Sequence, residues 1–215
     1  MKNFILLVFI IFGSVYGRAQ EISDADSRIV EKIKQANTQY KTITCDFRQI
    51  KHMSIIGEKI KSNGLFYYDK PDQMAMYYED PAGDLMLIDE DKFVMVAGGK
   101  WNETTSKSNA KMRGMKTILS ACLQGDVKQM GAEKIVCEET DQYYVVTADI
   151  DKKANKSNIV KVIMSFDKNG SILSTFQTIE PDGSYNIYEL INQKFNQPIN
   201  EDVFQPSKKQ KQKQK

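Results

Sequence analysis

Three runs of sequence decide the fold of this chain. Residues 43–51 read ITCDFRQIK, residues 62–81 read SNGLFYYDKPDQMAMYYEDP, and residues 85–96 read LMLIDEDKFVMV. Apolar and polar residues alternate in the first run, the third run holds two short apolar stretches, and Pro, Gly or Asp marks each change of direction, which is typical of short strands joined by turns. Residues 43–96 therefore predict a meander of five strands.

One face of this meander is rich in methionine and aromatic residues. Met74, Met76 and Tyr78 share one side of the predicted third strand, and Phe66 and Tyr68 share one side of the second. Methionine is flexible and polarisable, so it suits a surface that repacks around variable guests. Two interpretations remain open from the residues alone, an ordinary core and a cavity for an apolar molecule.

The rest of the chain predicts two helices and more strands. Apolar residues recur at helical spacing in residues 23–40, where Ser23 can cap the helix, and again in residues 112–123. The second helix is short and lies between polar and Gly-bearing segments, as a movable lid does. A polar connection precedes it, ending near Lys107, and alternating strands return from Ala132 onward. Nine to eleven short strands predict a barrel or a strongly curled sheet.

The N-terminus predicts a secretory signal peptide over residues 1–19. A basic start at Lys2 precedes an apolar run over residues 4–12, and small residues follow at Gly17 and Ala19. The run is shorter than the roughly 20 residues of a transmembrane helix. We expect cleavage after Ala19 and an exported, soluble protein; the alternative is an uncleaved N-terminal anchor.

The charge distribution argues against a nucleic-acid partner. The chain has 30 basic and 28 acidic residues, but seven of the basic ones lie in residues 1–19 and in the Lys/Gln tail 208–215. Residues 20–207, which we expect to form a single domain, therefore hold 23 basic against 28 acidic residues, a net charge of about −5. Phosphate binding needs a basic stripe. The tail is predicted to be disordered.

No catalytic, cofactor or metal site is predicted. A histidine-dependent site would need His52, the single histidine, which lies in a polar hairpin with no nucleophile motif near it. Cys45, Cys122 and Cys137 do not have a metal spacing, and their odd number leaves either one disulfide or buried free thiols. The acidic residues cluster at turns, which disfavours a glycosidase-like carboxylate pair.

An ordered set of short motifs is similar to a known family. A predicted signal peptide and an amphipathic helix precede Phe47-Arg48-Gln49, then GLFYYDKP at residues 64–71, and finally DVFQP at residues 202–206. This order resembles the LolA family of periplasmic carriers of outer-membrane lipoproteins. The match spans nearly the whole mature chain; its specificity lies in the ordered set, since each motif alone is weak.

The resemblance implies an α+β fold that is mainly β: an incomplete, strongly curled antiparallel β-barrel closed by an N-terminal helix and a short lid helix. It also implies an apolar cavity for acyl chains and no turnover chemistry. The expected partners are acylated lipoproteins, an inner-membrane lipoprotein-releasing ABC transporter and an outer-membrane acceptor. We expect a periplasmic monomer that binds no nucleic acid.

Nine residues are predicted to line the cavity, because they lie on the Met-rich and aromatic strand face or on the lid helix: Phe47, Phe66, Tyr68, Met74, Met76, Tyr78, Met112, Met115 and Leu119. Lys70 is the candidate release or latch residue, where better-known family members carry arginine. Lysine cannot make the forked hydrogen bonds of a guanidinium group. A latch based on such hydrogen bonds must therefore be weaker in this chain or be formed by other residues.

Three alternatives accompany the lipoprotein-carrier hypothesis. The same fold suits a carrier of another hydrophobic molecule, such as a glycolipid or an apolar pigment precursor. A lipoprotein-sensing envelope-stress regulator is a second alternative, although such sensors carry an additional C-terminal domain. A secreted enzyme is the third, and the missing catalytic residues disfavour it.

Overall fold

The computed structural model of this protein describes residues 22–206. The predicted signal peptide and the Lys/Gln tail therefore lie outside the described residues. The regular elements are helix α1 (Asp24–Asn37), strands β1 (Thr42–Met53), β2 (Glu58–Asp69), β3 (Gln73–Asp80), β4 (Leu85–Asp89), β5 (Lys92–Ala97) and β6 (Lys100–Thr105), helix α2 (Ala110–Gln124), a 3₁₀ helix (Val127–Met130), strands β7 (Ala132–Glu139), β8 (Tyr143–Ile150), β9 (Lys161–Asp167), β10 (Ile172–Ile179) and β11 (Tyr185–Phe195), and a second 3₁₀ helix (Glu201–Phe204).

The eleven strands of residues 22–206 form one antiparallel sheet in the order β6-β5-β4-β3-β2-β1-β11-β10-β9-β8-β7. Neighbours in the sheet are also neighbours in sequence except at β1–β11, where Phe47 lies opposite Leu190. This pairing joins the two halves of the chain. Strands β6 and β7 are the two ends of the order, so the barrel stays open. The predicted α+β fold, an incomplete curled antiparallel barrel with two helices, is confirmed.

Both predicted helices form, and polar side chains cap them. The Asp26 backbone N–H donates to Ser23 Oγ at 3.1 Å, which satisfies one of the free donors at the start of α1. Asn109 does the same for α2 by accepting from the Met112 backbone N–H at 3.2 Å. Helix α2 ends at Gly125, whose φ of +66° is readily adopted by glycine.

The prediction of a polar connection up to Lys107 was wrong in part. Residues Lys100–Thr105 form strand β6, and Trp101 pairs with Val96 of β5. An edge strand pairs on one side only, and most residues of β6 are exposed, so its polar composition conceals the alternation that identifies a strand.

Both helices pack on one face of the sheet, here called the inner face. Val30 and Ile33 of α1 and Ile118 and Cys122 of α2 are fully buried there, within a core that receives the apolar side chains of β1–β4 and β8–β11. Apolar burial on this face is the main stabilising term of the fold.

The C-terminal segment covers part of the opposite, outer face. Phe204 of the second 3₁₀ helix packs against a separate buried cluster that holds Ala75, Leu85, Leu87, Val94 and Val96. The Tyr77 hydroxyl donates to the Val203 carbonyl oxygen at 2.8 Å and holds the segment in place. Both faces of strand β4 are thus buried, one in the inner core and one in this outer cluster. This explains why four consecutive residues of β4 are apolar.

Close backbone approach explains one glycine of the sheet. A Cβ on Gly64 would lie 2.0 Å from the Tyr77 carbonyl oxygen, so only glycine fits between β2 and β3 at this point. The register between the two strands shifts between Asn63 and Gly64, which bends β2 where the sheet curls.

The cysteines are free thiols. Cys45 and Cys122 are buried, and Cys137 is half-buried with its backbone N–H donating to Asp26 Oδ1 at 2.7 Å. Burial raises the pKa of the Cys45 and Cys137 thiols to about 12, so both stay protonated at neutral pH. Of the two alternatives left open by the sequence, the structure has the one without a disulfide.

Candidate hydrophobic-ligand site

A cavity of about 70 Å³ lies between the inner face of the sheet and helix α2. Its walls come from strands β2, β3, β4, β10 and β11, from α2 and from the loop before β9. The lining is mostly apolar and rich in methionine: Phe66, Met74, Met76, Met86, Met115, Leu119, Leu123, Ile159, Phe176, Thr178, Asn186, Tyr188 and Leu190.

The structure brings the nine predicted cavity residues into one core but lines the cavity with five of them. These five are Phe66, Met74, Met76, Met115 and Leu119. The other four belong to the surrounding core: Phe47 and Tyr68 are fully buried in it, and Tyr78 and Met112 pack against it half-buried.

Most of the lining residues that the sequence did not identify come from the C-terminal half of the sheet. Phe176 and Thr178 share one side of β10, and Asn186, Tyr188 and Leu190 share one side of β11. Their alternation is visible in the sequence. Only the β1–β11 pairing, however, places this side next to the Met-rich face of β3.

One end of the cavity is polar. The Tyr78 hydroxyl donates to Gln49 Oε1 at 3.0 Å. The Gln49 amide nitrogen in turn donates to the Tyr188 hydroxyl at 3.0 Å and to Asn186 Oδ1 at 2.9 Å. Burial raises the pKa of Tyr78 to about 12 and that of Tyr188 well above its usual range, so both phenols are neutral at physiological pH.

The strand register sets the direction of this polarity. Asn186 lies opposite Lys51, close to the turn between β1 and β2, so the polar end of the cavity faces that turn. Met74 lies opposite Tyr68 near the other end of β2. Met76 lies opposite Phe66, two residues closer to the β1–β2 turn. The cavity is therefore apolar at depth and hydrogen-bonding towards the β1–β2 turn.

Helix α2 covers the cavity and is held by polar contacts along its length. Lys116 Nζ lies 3.1 Å from Asp72 Oδ2 and donates to the Glu90 carbonyl oxygen at 2.7 Å. Gln124 Nε2 donates to the Tyr68 hydroxyl at 2.8 Å. These contacts join α2 to the β2–β3 and β4–β5 turns.

A buried asparagine fastens the middle of α2 to the loop before β9. Asn155 Nδ2 donates to the carbonyl oxygens of Gly114 at 3.2 Å and of Met130 at 3.1 Å, and Asn155 Oδ1 accepts from the Ser157 backbone N–H at 2.8 Å. A Cβ on Gly114 would lie 2.3 Å from Asn155 Oδ1. Glycine is thus required where the helix meets this loop.

Lys70, the predicted latch residue, contacts α1 rather than α2. Its Nζ donates to the carbonyl oxygen of Asn37, the last residue of α1, at 2.7 Å. Partial burial lowers the pKa of the Lys70 ammonium. A cation at a helix C-terminus interacts favourably with the helix dipole, so Lys70 stabilises the junction between α1 and the β2–β3 turn.

Two further features of residues 22–206 bear on function. Within this range, His, Cys, Asp and Glu side chains form no group of three or more able to hold a metal ion. Neither helix in the same range is long and apolar enough to cross a membrane.

An open antiparallel half-barrel that folds around helices and an apolar cavity defines a class of carriers for hydrophobic ligands. Residues 38–207 match the family described as outer membrane lipoprotein carrier protein LolA. The chain belongs to the LolA family, and the resemblance found in the sequence is confirmed. LolA-family proteins are periplasmic carriers that bind lipoproteins or other hydrophobic ligands, and they are not enzymes.

Solved structures share the fold at low sequence identity. A domain from Vibrio parahaemolyticus, provisionally assigned as an outer membrane lipoprotein-sorting protein, is 11% identical with a TM-score of 0.50, covering 86% of this chain and 97% of the other. An uncharacterised conserved protein from Thermus thermophilus is 7% identical with a TM-score of 0.50, covering 85% and 94%. MucB is 8% identical with a TM-score of 0.50, covering 86% and 64%. No curated protein matches the chain.

Proposed function

We propose that this protein is a periplasmic chaperone for lipoproteins. It binds their acyl chains in the cavity beneath α2 and carries them, as a monomer, from an inner-membrane ABC transporter to the outer membrane. The observation that carries the proposal is the cavity itself, whose deep end is lined by Met74, Met76, Met86 and Met115. Unbranched, polarisable side chains adapt to the shape of an alkyl chain.

The physical need for such a carrier follows from the hydrophobic effect. Each CH₂ group moved from an apolar environment into water costs about 0.8 kcal/mol, so an acyl chain does not cross an aqueous compartment unprotected. A carrier has to bury the chain and also release it. No bond is made or broken, which fits a site built from apolar and neutral hydrogen-bonding groups.

The size of the cavity requires that α2 moves when cargo enters. Ligand pockets measure roughly 300–1,000 Å³, whereas this cavity measures about 70 Å³. The inner face of α2 fills the space between the strands with Ile118, Leu119, Cys122 and Leu123, all of them buried. Displacing this helix outward would open an apolar groove along β3 and β11, and its polar ties to the neighbouring turns would break and re-form.

The polar end of the cavity suits a second candidate, a carrier of a glycolipid or another amphiphile. Tyr188, Asn186 and Thr178 offer a hydroxyl, an amide and a second hydroxyl at the lining. Such groups can hydrogen-bond an ester or amide that joins acyl chains to a head group. Lipoproteins and glycolipids both contain these linkages, so the cavity suits either cargo.

Site-specific photo-crosslinking tests both candidates. A photoreactive amino acid replaces Met76 or Met115 in the protein expressed in its native envelope, and mass spectrometry identifies the adducts. Leu87 is the matched control, because it is fully buried on a sheet strand but faces the outer cluster beneath Phe204.

Acylated lipoproteins attached at Met76 and Met115, and absent at Leu87, are the expected result. A glycolipid or pigment adduct would keep the cavity as the binding site and replace the cargo. If neither position captures anything, or if Leu87 captures the same molecules, the carrier proposal is wrong and the methionines form an ordinary core.

A further inference from the structure

The turn between β1 and β2 exposes apolar side chains where turns usually carry polar ones. Ile55 is 86% exposed and Ile56 is 59% exposed. Ile60, the third residue of β2, is 42% exposed. We call residues 51–61 the isoleucine hairpin. Single exposed apolar residues are common on protein surfaces, but two adjacent isoleucines at the tip of a projecting hairpin form a concentrated apolar site.

Three lysines flank this apolar tip on the two strands of the hairpin, and Asp182 of the neighbouring turn lies beside it through Ser184. Lys51, Lys59 and Lys61 are all exposed, and Glu58 is the one acidic residue among residues 51–61. Along β2, Lys59 and Lys61 project to one face of the hairpin, while Lys51 projects to the other face from β1. The hairpin is thus net positive, although residues 20–207 as a whole carry more acidic than basic residues.

The hairpin is braced against its neighbour, so the tip is presented in a defined direction. The Ser54 backbone N–H donates to Ser184 Oγ at 3.0 Å, which ties the tip to the turn between β10 and β11. The rings of His52 and Tyr185 lie 4.9 Å apart just below. Ile55 and Ile56 consequently project away from the sheet rather than folding back onto it.

The tip lies at the polar end of the cavity. Asn186, which lines the cavity, is opposite Lys51, and Ile55 follows Lys51 by four residues. At about 3.3 Å per residue along a strand, this places the tip roughly 13 Å beyond the cavity lining. A surface that accepts the tip would therefore face the polar end of the cavity.

We propose that the isoleucine hairpin is a membrane-docking element that inserts Ile55 and Ile56 into the interface of an anionic lipid bilayer. An apolar tip gains free energy by entering the boundary between head groups and acyl chains, and the flanking lysines contact the anionic head groups while their stems stay in the apolar layer. The net positive charge of the hairpin favours a lipid surface over an apolar protein groove. This inference goes beyond the proposed function and does not depend on the identity of the cargo.

Vesicle binding without cargo tests this inference. The protein is purified in the form that the cell produces after processing. It is then co-sedimented with vesicles of phosphatidylglycerol and phosphatidylcholine, and with vesicles of phosphatidylcholine alone. The test variant is Ile55→Ser/Ile56→Ser. Its matched control is Met95→Ser/Val136→Ser, which removes two other exposed apolar side chains, 39% and 36% exposed, from β5 and β7. All proteins keep the same termini, so the lysine-rich tail contributes equally.

The original chain and the Met95/Val136 control are expected to bind the anionic vesicles. The Ile55/Ile56 variant should lose at least about tenfold in partition coefficient, since two apolar side chains no longer insert. Lys59→Gln/Lys61→Gln should weaken binding by about fivefold for each lysine, and only on anionic vesicles. Equal binding of the original chain and the Ile55/Ile56 variant, or no binding of the original chain, overturns the inference.

Depth of insertion gives a second readout. Ile55→Trp should be quenched by brominated lipids in anionic vesicles, whereas Val136→Trp should not, and the native Trp101 gives the same background in both. Quenching at both positions or at neither contradicts docking through the hairpin. Failure here would leave the photo-crosslinking result at Met76 unaffected, so the two proposals can fail separately.

Discussion

Lys70 Nζ lies 2.7 Å from the backbone carbonyl oxygen of Asn37, and this hydrogen bond ties the β2–β3 turn to the end of α1. The position is the one at which the LolA resemblance implies a latch over the cavity. In this chain the side chain holds α1, whereas Lys116 and Gln124 hold α2. Stability and lid opening are therefore expected to respond to different residues.

Replacing Lys70 with methionine should destabilise the fold without loosening α2. The Asn37 carbonyl oxygen loses a charged donor, so the free energy of unfolding should fall by about 1–2 kcal/mol. Urea unfolding measures this change, and Lys41→Met, an exposed neighbour, is the control. The rate at which a bound fluorescent fatty acid is released should not change; faster release from Lys70→Met would instead support a latch role.

Replacing Lys116 with methionine should make α2 open more often. The variant loses the contacts to Asp72 and to the Glu90 carbonyl oxygen. Partly exposed ion pairs contribute about 0.5–1 kcal/mol, so uptake of the fatty acid should accelerate by roughly two- to fivefold. Faster amide exchange within Ala110–Gln124 should accompany it. Lys111→Met, on the exposed side of the same helix, should leave both rates unchanged, and equal effects of the two variants would contradict the assignment.

Gly114→Ala should destabilise the protein even though alanine favours helices by about 1 kcal/mol over glycine. The added Cβ would lie 2.3 Å from Asn155 Oδ1 and 2.5 Å from the Ser157 backbone nitrogen. The loop before β9 would have to move, at a cost of about 1–3 kcal/mol. Thermal unfolding measures the change, with Ser120→Ala on the same helix as control. A raised melting temperature for Gly114→Ala would show that the loop adapts.

Alkaline pH should weaken the fold through its buried tyrosines. Burial raises the pKa of Tyr68 and Tyr78 to about 12 from an ordinary value of 10.0. The folded state holds these protons while the unfolded chain releases them, so the stabilisation is complete below about pH 10 and is lost progressively up to about pH 12. Each shift corresponds to roughly 2–3 kcal/mol.

Urea unfolding across this pH range, with tyrosinate absorbance recorded in parallel, measures the effect. Tyr78→Phe should reduce the slope of stability against pH, because it removes one phenol whose pKa burial raises to about 12. Ionisation of all tyrosines near pH 10 in the folded protein would disprove the prediction.

Local patterns in the sequence predicted much of the fold, because they depend on neighbours in the chain. Alternation around Met74 and Met76 identified β3, and Ser23 marked the start of α1. The sequence did not predict strand β6. Most of its residues are exposed, so it lacks the apolar side that produces alternation. The outer cluster beneath Phe204 was not predicted either. Strand β4 is buried on both faces, so its sequence is a continuous apolar run that does not show which residues face outward.

The sequence by itself determined the strand meanders, the two amphipathic helices and a set of apolar residues that would share one face. Only the tertiary structure decided which of these residues meet a cavity. The pairing of β1 with β11 joins segments about 140 residues apart, and no local periodicity encodes that contact. It brings Tyr188 and Asn186 beside Met76, and it sets the isoleucine hairpin at the polar end of the cavity.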